Sequence, residues 1–327
     1  MLRKIAFCLS LSLVWLNLPA LFAQEKNASD IAPTVSLLNP SDRIIFLGDS
    51  NTYAAGYIDL LDAYFRLHQP QLKLELLNLG LPSETACGLS EPDHPYPRPD
   101  VHERIDRVLE KTKPNVVFIC YGMNDGIYHP FSDERFQAYQ AGILDIVKRA
   151  QGCGARVLMT PPPFDPLPMK KTGKLRSADA DQFAYFAIFE GYDDVLQKYA
   201  DWIMKQGDAV DLVIDLHTPF NQVLAEKRKT KPDYTMSGDG VHFNQDGHTI
   251  LATEILNQLG YSPQLKFVPA YFKLVAERQH LLRDAWVTHC GHQRPDTPQG
   301  KPLDEATSLA ADLETKIADF ISAIPEQ

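Results

Sequence analysis

Five short apolar runs, spaced by longer helical stretches, constrain this chain more than any other feature. They are RIIFLG (43–48), KLELLNLG (73–80), NVVFICYG (115–122), ARVLMT (155–160) and DLVIDLH (211–217). Each has strand length, and most are rich in Val, Ile or Leu, as in strands buried on both faces. Helical patterns run over 56–68, 100–112, 132–151, 180–206, 218–229 and 244–259. Pro114, and Gly152 with Gly154, mark helix ends ahead of the third and fourth runs. Such a β-α succession implies parallel strands with right-handed crossovers, hence a three-layer α/β/α sandwich. In these sheets the ligand sits beyond the carboxyl ends of the strands. The loops that begin at Gly48, Gly80, Gly122, Thr160 and His217 therefore face the site.

The strand pattern stops beyond residue 260. Residues 264–289 and 303–323 read as two amphipathic helices joined by the polar stretch GHQRPDTPQGKP. At the other end, Arg3 and Lys4 precede an apolar run from Ile5 to Leu18 and then Pro19-Ala20-Leu21-Phe22-Ala23. This is the pattern of a secretory leader cleaved after Ala23, because the run is shorter than the roughly 20 residues of a membrane span. The expected location is secreted or periplasmic, with no stable membrane insertion after cleavage. The formal charge of -10 argues against a nucleic-acid partner, whose phosphates need a basic face. Cys87, Cys120, Cys153 and Cys290 remain after the leader. They show no metal-ligand spacing, and their pairing cannot be read from sequence.

Three strand-end loops carry unusual polar groups. Ser50 follows Gly48-Asp49 and opens a helix, where free backbone N–H groups suit a nucleophile whose attack creates an oxyanion. A Ser at such a junction is also an ordinary helix cap. Gly80 offers a bare backbone N–H, and Asn124 in Gly122-Met123-Asn124-Asp125 offers a side-chain donor. With the Ser50 amide they make a three-donor oxyanion hole. In SGDGVHFNQDGH (237–248), Asp239 and His242 stand three apart on a Gly-containing turn. Asp239 is thus placed to orient the imidazole, and His242 to take the Ser50 proton. His217 and His129 also lie near strand-end loops, His217 being the better rival base, while His248 reads as structural.

These four blocks, in this order on a β-α pattern, resemble the SGNH, or GDSL, hydrolases over roughly residues 41–260. The resemblance implies a flavodoxin-like five-stranded parallel sheet of order 2-1-3-4-5. It also implies a Ser-His-Asp esterase that uses neither metal nor cofactor. Ser50 is then nucleophile, His242 base and Asp239 the orienting acid, with Ser50, Gly80 and Asn124 forming the oxyanion hole. Asn51-Thr52 departs from the bulkier aliphatic residue that often follows the Ser in the family. The implied organisation is a leader (1–23), a linker (24–40), a catalytic domain (41–260) and a helical extension packed on the core (261–327).

Two loops are expected to shape the pocket: CGLSEPDHPYPRPD (87–100) and PPPFDPLPMKKTGKLRSADA (161–180). Asn51, Tyr121 and Phe164 are the candidate substrate contacts, and Tyr96 is a further aromatic able to stack on a sugar. Lys170, Lys171, Lys174 and Arg176 read as a solvated basic loop. No long apolar segment near the site suggests a lipid lid. The expected partner is an acylated small molecule or polysaccharide, and the leading expectation is a carbohydrate O-acetylesterase. A lysophospholipase or general short-chain esterase is the alternative with the same machinery. A non-catalytic carbohydrate-binding domain is the third, although a binder needs none of Ser50, His242 and Asp239.

Overall fold

The computed structural model describes residues 37–170 and 172–323. The leader expected at 1–23, and the linker up to residue 36, lie outside the described residues. The strands are β1 (Arg43–Gly48), β2 (Glu75–Asn78), β3 (Val116–Cys120), β4 (Ala155–Met159), β5 (Leu175–Arg176), β6 (Ile188–Phe189) and β7 (Leu212–Ile214). Five of them form one parallel sheet in the order β2-β1-β3-β4-β7. This is the expected 2-1-3-4-5 arrangement, because β5 and β6 form a separate two-stranded pair.

The helices are α1 (Ser50–Tyr53), α2 (Gly56–His68), α3 (Ile105–Thr112), α4 (Asp133–Arg149), α5 (Tyr192–Ile203), α6 (His217–Thr230), α7 (Gln245–Gln258), α8 (Pro269–Cys290) and α9 (Leu303–Ser322). Successive strand residues point to opposite sheet faces, and the core divides accordingly. Ile45, Leu47, Val117 and Ile119 pack with side chains of α3, α4 and α5. Ile44, Phe46, Val116 and Phe118 pack with those of α2, α6 and α7. Both faces are thus covered, which explains why the strands read as continuous apolar runs rather than alternating ones.

Three expected helices begin later than their sequence pattern, and the one expected over 100–112 opens as a 3-10 turn at Val101–Glu103 before α3 starts at Ile105. The 180–206 helix starts only at Tyr192. Ahead of it Ala184 and Ala187 exchange backbone hydrogen bonds across a tight turn, and Ile188–Phe189 pairs with Leu175–Arg176. The helix expected from residue 264 starts at Pro269, where the missing N–H and fixed φ suit a first helical position.

α8 and α9 pack on this core through specific polar contacts. Gln279 donates to Asp62 Oδ2 (2.7 Å) and to the Leu76 carbonyl of β2 (3.2 Å). The Tyr271 hydroxyl donates to the Ala63 carbonyl (2.8 Å). Arg283 Nη1 donates to the Tyr53 carbonyl (2.9 Å) and its guanidinium lies over the Tyr53 ring. α8 therefore reaches α1, which begins at Ser50. Cys87, Cys120, Cys153 and Cys290 are all free thiols. No helix among the described residues is long and apolar enough to cross a membrane.

Candidate active site

β1 ends at Gly48, and the chain turns at once into the single helical turn of α1. Asp49, not Ser50, is the cap: its Oδ1 accepts the Asn51 N–H at 2.9 Å. That leaves the Ser50 hydroxyl free for another partner. Burial pushes the Asp49 carboxyl up to about 6, against the opposing pull of the Asn51 N–H and of His242.

The partner of Ser50 is His242, whose Nε2 lies 3.0 Å from Ser50 Oγ. On the far side of the ring, His242 Nδ1 lies 2.7 Å from Asp239 Oδ2. An ionised carboxylate only accepts, so Nδ1 carries the proton and Nε2 presents its lone pair to the hydroxyl. Asp239 Oδ1 also accepts the backbone N–H groups of Val241 (3.0 Å) and His242 (2.7 Å). Partial burial opposes ionisation of Asp239, but these hydrogen bonds, led by the His242 ring, hold it well below the usual carboxylate range. The same contact with Asp239 raises His242 above its ordinary value, against the opposing effect of burial.

The tight Asp239–His242 turn needs Gly240, which has φ +81 and where a Cβ would stand 2.4 Å from the Asp165 carbonyl. Asn51 joins this turn to α1. Its Nδ2 donates to the Val241 carbonyl (3.0 Å) and its Oδ1 accepts the Phe243 N–H (3.3 Å). Asn51 is buried, so it brackets His242 and does not face outward as the substrate contact expected from sequence. Tyr121 and Phe164 are each 1% exposed. Tyr121 donates to Glu84 and Phe164 packs in the core, so neither presents its side chain at the surface.

The expected oxyanion donors are brought to one edge but are not equally free. The Ser50 N–H has no acceptor among the described residues, as befits the first turn of a helix. Asn124 is 3% exposed, with Nδ2 donating to the Glu84 carbonyl (3.1 Å) and Oδ1 accepting from the Tyr128 hydroxyl (3.0 Å). Its second amide N–H is left without a protein acceptor among the described residues. The Gly80 N–H, by contrast, donates to Asn78 Oδ1 at 2.9 Å. A Cβ at Gly80 would stand 2.4 Å from the Tyr53 N, so the glycine is explained by the close approach of α1.

The rival histidines are occupied elsewhere. His217 is fully buried, with Nδ1 3.1 Å from the Pro161 carbonyl and Nε2 3.3 Å from Asn221. His248 packs against Tyr57, and burial pulls it down to about 4. His129 packs against Phe183. Sequence reading missed Glu84 and Tyr128, which hydrogen-bond Asn124, and Arg104, which grips Glu84. Only a buried Arg and Glu in apolar surroundings could have signalled them, and that pairing is visible only in three dimensions.

This parallel sandwich, with a hydroxyl, an imidazole and a carboxylate in file at one sheet edge, has the architecture of an ester hydrolase. A family model of the GDSL-like lipase/acylhydrolase family matches residues 46–250, and the chain belongs to that family. Among solved structures, a gut microbial diltiazem-metabolizing enzyme is 19% identical with a TM-score of 0.54. The match covers 68% of this chain and 48% of that one, so the chain spans about half that enzyme's length. An alpha/beta hydrolase enzyme from the Lake Arreo metagenome is 19% identical over 70% of this chain and 100% of its own, with a TM-score of 0.48. A GDSL-like lipase from Bacteroides thetaiotaomicron is 15% identical over 67% and 88%, with a TM-score of 0.42. No protein of curated function matches the chain.

Proposed function

We propose that this protein is an exported serine esterase that removes short O-acyl groups, foremost O-acetyl, from carbohydrate. The observation that carries the mechanism is the file of atoms from Asp239 Oδ2 through the His242 ring to Ser50 Oγ, closed by contacts of 2.7 and 3.0 Å. His242 Nε2 takes the hydroxyl proton as Ser50 Oγ attacks the ester carbonyl. The tetrahedral oxyanion that forms is met by the Ser50 N–H and the free Asn124 N–H. His242 then gives its proton to the leaving alcohol, and an acyl group remains on Ser50. Water activated by His242 attacks that acyl-enzyme, and the acid departs with Ser50 restored. Asp239 holds the ring in the required tautomer and stabilises its cationic form.

Two features support a sugar ester with a small acyl group. His94, Tyr96 and the 45%-exposed Tyr185 form a cluster, with ring centroids 4.7 Å and 5.5 Å apart, on loops anchored to Glu91. Exposed rings of this kind suit the apolar faces of sugars. A roomy groove of about 700 Å³, with Phe65, Leu282 and Trp286 in its wall, includes Arg43 and Glu75 at the start of β1 and β2. It lies toward the sheet end opposite Ser50, so it offers no bed for a long acyl chain beside the nucleophile. The leader pattern at residues 1–23 supports export.

The test is acetate release from acetylated xylan, pectin and sialate alongside a lysophospholipid, with Ser50→Ala as control. Acetate from at least one glycan, lost in a folded Ser50→Ala protein, is the expected result. Turnover of the lysophospholipid alone would replace the carbohydrate assignment, and full activity in Ser50→Ala would remove the mechanism.

A further inference from the structure

Behind Asn124 stands a buried polar scaffold that proton transfer does not use. Arg104 is 1% exposed and grips the Glu84 carboxylate with two hydrogen bonds of 2.6 Å each. Its Nη2 also donates to the Leu79 carbonyl (2.7 Å), one residue before Gly80. The Tyr121 hydroxyl adds a third donor to the same carboxylate at 2.6 Å. The backbone carbonyl of the clamped Glu84 in turn accepts from Asn124 Nδ2, while Tyr128 donates to Asn124 Oδ1.

We propose that Tyr128 and the Glu84–Arg104 pair are positioning residues that hold the Asn124 amide with its N–H₂ end available to the oxyanion. The proposal rests on the oxyanion role given to Asn124 above. A side-chain amide can flip, exchanging a donor for an acceptor at nearly the same position. Here the two ends are chemically distinguished. A backbone carbonyl can only accept, so the atom facing Glu84 must be the nitrogen. The atom facing Tyr128 is then the oxygen, and the phenol must donate to it. A flipped amide would set its oxygen against the Glu84 carbonyl and would present no donor where the second N–H now stands. Either error removes stabilisation that a preorganised donor supplies without rearrangement.

The backbone is bent to bring Tyr128 there. Ile127 and Tyr128 are consecutive non-glycine residues in the left-handed region, with φ of 43 and 61. Such geometry persists only where surrounding contacts over-determine it. Phe189 N–H donates to the Tyr128 carbonyl (3.0 Å), and the Tyr192 hydroxyl donates to the Met123 carbonyl (2.8 Å). Asp125 Oδ1 accepts the N–H groups of both Ala86 and Cys87 at 2.8 Å. Burial raises the Tyr128 phenol well above its ordinary value, so it remains a donor across the working pH range.

A double-mutant cycle between Tyr128→Phe and Asn124→Ala tests this, read as kcat and KM on an activated acetyl ester with melting curves alongside. Phe keeps the ring that packs against Tyr192 and Arg98 and removes only the donor. Tyr128→Phe is expected to lower kcat about tenfold, the effect of roughly one hydrogen bond, with KM within about twofold of wild type. In the Asn124→Ala background the same substitution should cost nothing further, because the group it aims is gone. An equal loss in both backgrounds, or no loss in either, overturns the positioning role. If Asn124→Ala alone leaves kcat unchanged, the oxyanion reading falls and this inference falls with it. Glu84→Gln should show the same non-additivity with Asn124→Ala. If that variant does not fold, Tyr121→Phe removes one hydrogen bond from the same carboxylate and takes its place, and additivity there removes the Glu84 arm.

Discussion

The two halves of the proposed site, one for the oxyanion and one for proton transfer, are built in opposite ways. On the oxyanion side, Glu84, Arg104 and Asn124 are 0%, 1% and 3% exposed. On the proton-transfer side, the side chains of His242 and Asp239 are 54% and 48% exposed. The division follows the work proposed for each half. Donors that stabilise a developing charge act best when fixed beforehand and shielded from water. A base that must take up, pass on and recover a proton works at the open edge, next to substrate and water. Burial is thus concentrated where movement would weaken the function.

Substitutions should divide along the same line. The largest effect is expected for His242→Ala: kcat falls by about 10⁴-fold or more, while the melting temperature stays near wild type because the side chain is half exposed. A large fall in melting temperature would show that the open turn carries the fold, contrary to the contrast. Arg104→Ala should act foremost on stability. It strands the buried Glu84 carboxylate and should cost about 3–5 kcal/mol in denaturant unfolding. A loss under about 1 kcal/mol would show that the scaffold behaves like a surface ion pair.

The next effect is on pH dependence. The base works only when deprotonated, and Asp239 raises His242, so activity should rise with pH through an inflection above the ordinary histidine value. Asp239→Asn should move that inflection to lower pH and reduce the rate, measured as kcat/KM against pH. An unmoved inflection would dissociate it from His242.

The smallest effect concerns Asp49, raised by burial to about 6. Its folded-state value lies above the unfolded one, so its contribution to stability is full below about 4 and is lost as pH rises through about 6. Asp49→Asn keeps a capable helix cap and removes this dependence. The variant should gain on wild type at pH 8, by no more than about 3 kcal/mol, and show no gain near pH 4, in unfolding curves at the two pH values. A gain that is the same at both would mean that the Asp49 charge is not the cause.

Most of the sheet was legible because strands covered on both faces write themselves as runs of Val, Ile and Leu, and five such runs became the five strands. The segment 180–191 was not legible, because its Phe, Tyr and Ala spacing suits a helix while pairing with Leu175–Arg176 decides its conformation. The positions of Ser50, Asp239 and His242 could be anticipated because a turn of Asp and His three apart is a local pattern. Asn51, Tyr121 and Phe164 were misjudged as substrate contacts for the opposite reason. Their burial depends on Val241, Glu84 and Tyr192, each distant in sequence. The clamp on Asn124 was invisible for the same cause, since Glu84 and Arg104 are twenty residues apart.

β2 lies at the margin of the sheet, where one row of backbone groups has no neighbouring strand. α8 covers that margin, and Gln279 takes the Leu76 carbonyl. An uncovered margin of this kind is a template for a second chain. A version of this protein shortened at residue 260 would therefore lose more than two helices. It would gain a sticky seam along Leu76, and self-association would follow from the exposed strand with no change at Ser50.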